Sequence, residues 1–349
     1  MAFTPASPRD LLYHGFDTVI DVRSPAEYEQ DHIPGAINLP VLNDAERARV
    51  GTIYVQESAF LARKIGAALV ARNAAGHIEG PLADKDGGWR PLVYCWRGGQ
   101  RSGSFAAILG QIGWRVEVLT GGYQTWRRMV NGALYDAPIE HRLLLLDGNT
   151  GTAKTDVIAR LRARGLQTID LEGLANHRGS ALGAVGAQPA QKAFESQLVQ
   201  ALATYDPEIP TIVEAESSKI GQINLPPSFF AAMKSAPRIT IEAKVEDRAR
   251  YLVEAYADTT RDRAVLAARL DRLVRLQGRE TVARWKDLAG DGRLEMLAAD
   301  LITRHYDPRY ARVRARVGGA VTATVAAETL DEAGREALSD RIAEVVNAL

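Results

Sequence analysis

The chain holds a single cysteine, Cys95, in 349 residues. One thiol excludes an intramolecular disulfide framework and any zinc site built on several cysteines. It also routes all thiol chemistry through one atom. Net charge is missing too: 43 Lys+Arg balance 43 Asp+Glu. This excludes a bulk polycation, so nucleic acid could be held only by a local basic surface. The balance holds within each half, with 14 of each sign in residues 1–137 and 29 of each in the remainder. The opening MAFTPASPRD lacks a basic segment leading into an apolar stretch, so no signal peptide is expected. Uncharged stretches such as 103–114 are too short to span a bilayer. These absences predict a cytoplasmic protein with no membrane partner. No internal repeat or low-complexity tract is present.

What is there is ordinary globular composition, 46% hydrophobic and 25% charged, in a length that suits one large domain or two ordinary ones. In the first half, short apolar runs at 18–22, 36–39, 92–95 and 116–119 read as strands. The stretches 60–70 and 102–109 read as helices. That alternation predicts an open α/β sheet. Periodicity fades over 131–142 (NGALYDAPIEHR), which marks the expected linker, with a division into domains 1–135 and 136–349. A second alternation follows. The four-leucine run 143–146 has the pattern of a strand buried on both faces. Further strands are expected at 167–170, 211–213 and 239–241, and helices at 156–164 and 190–203. From Val245 onward the Ala, Arg, Leu and Glu content predicts a mostly helical region.

Cys95 closes the apolar run PLVYC and is followed by WRGGQRSGS. A strand that stops at a cysteine, then a glycine-bearing turn, then a helix, makes a backbone cradle for an anion. The helix N-terminus and the charges of Arg97 and Arg101 each favour thiolate over thiol. A thiolate is a nucleophile suited to covalent transfer; the alternative is a buried structural thiol. In the second half, LLLLDGNTGTAKTDVIARL reads strand, glycine turn, helix. Residues 148–155 (Gly148, Asn149, Thr150, Gly151, Thr152, Ala153, Lys154, Thr155) nearly fit G-x-x-x-x-G-K-[ST]. Amides from Asn149 to Lys154 would cradle a phosphate or diphosphate, Lys154 would neutralise it, and the Thr155 hydroxyl could reach a magnesium ion. Ala153 stands where the pattern has its second glycine. If that position needs φ > 0, the alanine costs about 1 kcal/mol or more. Acidic residues follow the neighbouring strands: Asp170 and Glu172 after one, Glu214 and Glu216 after another. Strand C-terminal ends are where open α/β sheets bind ligands, so Asp170 and Glu214, with His177 and Arg178, are candidate neighbours of a phosphate or its metal ion. The other histidines show no metal-ligand spacing.

Three segments of the first half resemble rhodanese domains: DVRSPAEYEQDHIPGAINLP (21–40), the loop 95–102, and LTGGYQTW (119–126). The resemblance implies that Cys95 carries a transferable chalcogen, with Arg97, Gly98, Gly99 and Arg101 stabilising its anion. Asp21 and Arg23 match signature positions and read as a structural ion pair at a strand end. Taken with the phosphate loop and with DLEGLANHRGS (170–180), VEAESSKIG (213–221) and RHYDPRY (304–310), the chain from about residue 10 to 310 resembles the bacterial tRNA 2-selenouridine synthase family. It departs from that family's pattern at Ala153 and at Ala215, where an acidic residue is expected. The resemblance implies action on 2-thiouridine at the wobble position of tRNA. Sulfur is geranylated from geranyl diphosphate, and the geranylthio group is then replaced by selenium from selenophosphate. Cys95 would serve the selenium step as nucleophile or relay thiolate. Lys154 and Thr155 would hold the diphosphate, with magnesium, and no tightly bound cofactor is implied. The anticodon stem-loop is the implied partner. Candidate tRNA contacts are Arg304, Arg309, Arg312 and Arg314 in the one locally basic stretch (304–316), then Arg248 and Arg250; a solvated helical face is the competing reading. A thiosulfate-type sulfurtransferase fused to a small-molecule kinase is the alternative activity. A catalytically silent docking module is a third reading, which the presence of Cys95 opposes.

Overall fold

The computed structural model describes residues 2–179, 183, 186–314 and 319–349, with side chains for all of these except 258, 259 and 312–314. The chain divides into two compact units: Met1–Ala137 with Pro189–Thr204, and Pro138–Gln188 with Tyr205–Leu349.

In the first unit five short strands, β1 (Ala2–Phe3), β2 (Thr18–Asp21), β3 (Ile37–Asn38), β4 (Pro91–Tyr94) and β5 (Glu117–Leu119), form one parallel sheet in the order β1-β5-β4-β2-β3. Parallel strands need crossover connections, and these bring helices onto the sheet faces. That is why all four residues of central β4 are buried. The predicted helices run longer than their apolar cores suggested, at Ala59–Glu79 and Gln100–Ile112. A further helix, Asp44–Gln56, starts at a reciprocal cap between Asn43 and Glu46. The first half of the stretch expected to be a linker, 131–136, is helical. Tyr123–Asn131 continues into a π-helical turn, Gly132–Asp136, that buries Leu134. The wider turn breaks the 3.6-residue rhythm that sequence reading depends on.

The helix Gln191–Thr204 also belongs to this first unit. The sequence division had assigned it to the second domain. Its apolar residues Phe194, Leu198, Val199 and Leu202 are buried. A buried polar chain fixes it: Trp126 Nε1 donates to Ser196 Oγ (2.9 Å), and Ser196 Oγ donates to Asp31 (3.0 Å). Arg127 and the Tyr135 hydroxyl both bind Glu195 (2.6 and 2.7 Å). An amphipathic pattern states that a face will be buried but not against what.

In the second unit β6 (Leu143–Gly148), β7 (Thr168–Ile169), β8 (Thr211–Glu214), β11 (Arg238–Glu242) and β12 (Val321–Ala326) form a parallel sheet in the order β12-β11-β6-β8-β7. A small antiparallel hairpin, β9 (Lys219–Ile220) and β10 (Ile223–Asn224), stands apart. Strand β12 corrects the all-helical expectation for the C-terminal region; its sequence VTATVA carries the β-branched residues that favour a strand. The last helix, Glu332–Asn347, shares a core with Lys154–Ala163 through Leu338, Ile342, Val157 and Leu161.

Each sheet reverses its winding beside its central strand, β4 or β6, so the loop after that strand opens into the crevice where such sheets bind ligands. In the first unit the loop after β4 is pinned by the segment after β5. The Tyr123 amide donates to the Cys95 carbonyl (2.8 Å) and the Gln124 amide to the Trp96 carbonyl (3.1 Å). This approach is open only to glycine. Gly122 has φ +58°, and a Cβ there would lie 2.3 Å from the Cys95 carbonyl oxygen and 2.5 Å from the Gly98 nitrogen. Gly122→Ala should therefore destabilise the protein by more than about 2 kcal/mol. Gly103→Ala, at a helical site with open space around it, should be neutral or stabilising by up to about 1 kcal/mol. Urea unfolding followed by tryptophan fluorescence measures both, and equal effects would refute the close-approach argument.

Candidate active site

Cys95 is 4% exposed at the end of β4. Its Sγ accepts a hydrogen bond from the Ser102 hydroxyl (3.2 Å). Burial pushes the thiol pKa up, but the Ser102 hydroxyl and amide, the Arg101 charge and the Gly99 amide together bring it below the ordinary value of 9.0. Strand, turn and helix thus meet at Cys95, with groups of Gly99, Arg101 and Ser102 acting on its sulfur. Arg101 acts from a fixed position, because its guanidinium is paired with Glu27 (2.7 Å). Arg97 is exposed and is not among the groups that lower the thiol pKa. Gly98, with φ +64°, packs against the backbone of Leu119, Gly121 and Gly122. Asp21 and Arg23 form a buried ion pair (2.6 Å), and the Arg23 guanidinium lies 3.9 Å over the Tyr123 ring. Their role is to hold the walls on which the loop rests.

In the second unit the loop after β6, the candidate phosphate cradle, holds two residues in the left-handed region. Gly151 has φ +86° and Ala153 φ +60°. The alanine's left-handed strain of about 1 kcal/mol is offset by burial of its methyl, worth about 0.8 kcal/mol. Ala153 is 3% exposed and packs with Val157 and Ile158 in the core. Alanine is therefore compatible with the cradle. Lys154 folds back so that Nζ donates to the Gly148 carbonyl (2.8 Å). Burial pulls its pKa down, but Tyr310, Glu216, Glu172 and Glu214 outweigh this and hold it above the ordinary value. The loop opens on a cavity of about 640 Å³ whose walls include Thr155, Arg178 and Tyr251.

Three carboxylates converge on Lys154 and Thr155. The Thr155 hydroxyl donates to Glu172 (2.8 Å), and the Glu172 amide donates to Glu214 (3.0 Å). Glu214 is fully buried and its Oε1 has no hydrogen-bond partner among the described residues. Burial, and then the charges of Glu172, Asp170 and Glu216, push Glu214 well above the carboxylate range. Burial and the Glu216 charge push Glu172 up to about 7. Negative charge crowded to this degree, with an orphaned oxygen, fits a cation site. Among the described residues no group of three or more His, Cys, Asp or Glu could hold a metal by itself. Magnesium takes one or two carboxylates together with substrate phosphates, and Glu172 and Glu214 are the carboxylates placed beside the Thr155 hydroxyl.

The remaining candidates separate. Asp170 caps the short helix Leu171–Leu174 through the Gly173 amide (2.7 Å) and borders the loop cavity. Arg178 reaches the same cavity, 4.7 Å over the Tyr256 ring. His177 packs beside Gly221, with its Nδ1 buried and without a hydrogen-bond partner. Arg248 corrects its assignment as a tRNA contact. It is 3% exposed, donates to the Thr150 carbonyl (2.9 Å) and grips Asp307 with two bonds (2.9 and 2.6 Å). A side chain buried under the phosphate loop supports that loop and cannot meet an RNA backbone. Arg250 and Arg304 are exposed and paired with Asp247 and Asp300. Arg309 is exposed, and the side chains of Arg312 and Arg314 lie outside the described residues. Sequence reasoning included Ser102 as the last residue of the cysteine loop but gave it no role. It missed Tyr310, whose ring lies 5.7 Å from Lys154 Nζ and for which no local signal existed.

A thiolate loop in one parallel α/β unit and a phosphate loop in another define a rhodanese-like domain joined to a phosphate-loop domain. Residues 6–129 match the rhodanese-like domain family, and residues 141–272 match the tRNA 2-selenouridine synthase AAA domain. The tRNA 2-selenouridine synthase of Pseudomonas syringae pv. syringae (strain B728a) is 37% identical over 68% of this chain and 65% of that protein. The one from Bdellovibrio bacteriovorus (strain ATCC 15356 / DSM 50701 / NCIMB 9529 / HD100) is 33% identical over 77% of this chain and 73% of its own length. The chain belongs to the tRNA 2-selenouridine synthase family. It spans just under two thirds of the Pseudomonas relative it matches. Among solved structures, a rhodanese-related protein from Thermoplasma volcanium is 20% identical with a TM-score of 0.23, covering 36% of this chain and 92% of its own. No helix among the described residues is long and apolar enough to cross a membrane.

Two predictions follow from these geometries. Ser102→Ala should raise the pH midpoint of Cys95 alkylation by iodoacetamide and slow the reaction severalfold at pH 7; an unchanged midpoint would remove the hydroxyl from the cradle. Glu172, raised above its ordinary 4.5 in the folded state, holds its proton after the unfolded chain has released it. Folding therefore loses free energy as pH rises from about 4.5 to about 7, and the whole loss persists above that. In magnesium-free buffer Glu172→Gln should raise the melting temperature at pH 8 by a few degrees and leave it unchanged near pH 4.5. Scanning fluorimetry reads the difference, and a gain independent of pH would contradict the assignment.

Proposed function

We propose that this protein is a tRNA-modifying transferase that replaces sulfur by selenium in 2-thiouridine at the wobble position. In the first step the thiouridine sulfur bonds to C1 of geranyl diphosphate as the C1–O bond breaks and diphosphate leaves with the bonding pair. In the second, selenium from selenophosphate takes the place of the geranylthio group at C2. The C2–S bond breaks with loss of geranylthiolate, and the phosphoryl group passes to water. Alkylation precedes exchange because it turns a poor leaving group into a better one.

The observation that carries this reading is the pairing, in one member of the family, of a hydrogen-bonded Cys95 cradle with a loop whose lysine and amides suit a diphosphate. Lys154 and the amides from Asn149 onward hold the leaving diphosphate. Thr155, Glu172 and Glu214 would hold magnesium, which would supply charge neutralisation on the diphosphate oxygens. The Cys95 loop stabilises an anionic chalcogen for the selenium step through Ser102 and the Gly99 amide. The tRNA anticodon stem-loop is held in part by exposed arginines such as Arg309, by phosphate neutralisation. The reaction places the protein in the cytoplasm.

Mass spectrometry of tRNA nucleosides tests this. Incubation with geranyl diphosphate should yield geranylthiouridine, and subsequent selenophosphate should yield selenouridine. Lys154→Ala should abolish the first product, and Cys95→Ser should leave the first and abolish the second. Phosphoryl transfer from ATP to a small acceptor, with tRNA unchanged, would overturn the proposal.

A further inference from the structure

The described part of the second unit has a second cleft against the phosphate loop, of about 420 Å³, within the range of small-ligand pockets. Thr150 and Tyr310 line both this cleft and the loop cavity, so the two spaces share a wall. Two segments that the magnesium and diphosphate chemistry leaves largely unused meet there. RHYDPRY contributes His305, Tyr306, Arg309 and Tyr310, and VEAESSKIG contributes Ala215, Glu216, Ser217 and Ser218. The helix Pro227–Ser235 completes the lining with Phe230, Met233 and Lys234.

The lining has two kinds of surface. Phe230, Met233 and Tyr306 make an apolar, partly aromatic wall. Lys234 and Arg309 are exposed cations, and Lys234 Nζ lies 5.5 Å from the Phe230 ring centroid. Ser217, Ser218 and Glu216 add hydrogen-bonding groups to the lining. A hydrocarbon would desolvate these polar groups without partnering them. A bare phosphate would leave the aromatic wall unused. A nucleobase with its flanking phosphates satisfies both, by stacking and edge hydrogen bonds on one side and charge neutralisation on the other.

We propose that this cleft is the acceptor subsite: one unstacked pyrimidine nucleotide of the RNA lies against Phe230 and Tyr306, with its neighbouring phosphates on Lys234 and Arg309. The assignment rests on the tRNA reading above and goes beyond it by naming where the reacting base sits. A donor held by the loop and a base held in the cleft would meet at the shared wall of Thr150 and Tyr310. Family membership names no such place, and Arg309 thereby acquires a role distinct from general tRNA retention.

The test uses the full-length protein and an anticodon stem-loop RNA carrying photoreactive 4-thiouridine at the wobble position. Binding is measured by filter retention, and cross-linked peptides are mapped by mass spectrometry. The expected result is cross-links within residues 227–235 and 302–310. Phe230→Ala should lower cross-link yield tenfold or more while retention falls no more than about threefold. Lys234→Ala and Arg309→Ala, at exposed positions that leave folding intact, should lower both yield and the salt dependence of retention. RNA retained but cross-linked elsewhere would overturn the cleft assignment alone. No RNA retention by the unmodified protein would overturn the tRNA reading and the cleft with it. Protection of the cleft from labelling by geranyl diphosphate, but not by RNA, would reassign it to a hydrocarbon ligand.

Discussion

A parallel strand buried on both faces must end somewhere, and at its end the amides that no longer pair with a neighbour are turned toward a common point. Both units depend on that constraint. Central β4 stops just before Cys95 and central β6 stops at Gly148, and in each case a helix begins a few residues later. In the proposed reaction the same geometry would serve a covalently attached anion in the first unit and a diffusible one in the second. The difference lies in what fills the turn. A sulfur occupies the focus of the first, and a lysine, a threonine and three carboxylates surround the second.

The turns are tolerated because strain is compensated locally. Gly98 and Gly122 remove the Cβ atoms that would hold two backbones apart. Ala153 does the opposite, keeping its methyl in a left-handed conformation because the core absorbs it. Arg248, clamped on Asp307 and reaching the Thr150 carbonyl, ties the phosphate loop to a segment more than fifty residues further along the chain. The RHYDPRY stretch therefore enters the site through its acid as much as through its bases.

The loops themselves were legible in the sequence because each is a contiguous run whose neighbours in space are its neighbours in the chain. PLVYCWRGGQRS and LLLLDGNTGTAKT each contain strand, turn and helix together. What converges from afar was legible only in part. Their places after strands marked Glu172, Glu214 and Glu216 as neighbours of the loop, but that all three would share one lysine depends on the β6-β8-β7 order, which no local pattern encodes. Arg248 sits in EDRAR, a run indistinguishable from a solvated helical face, and only its pairing with Asp307 buries it. Strand β12 was hidden by the helical composition on either side, and the π-helical turn at Gly132–Asp136 by its own irregular period.

The helix Gln191–Thr204 has a consequence for the architecture as a whole. Because it completes the first unit while its flanking residues belong to the second, the polypeptide passes between units three times rather than once. No single cut yields two whole pieces: an N-terminal fragment ending near residue 137 would lack the helix that covers Trp126 and Asp31. The module boundary drawn along the gene and the boundary drawn in space are different lines, so recombination at the former would divide a folded body.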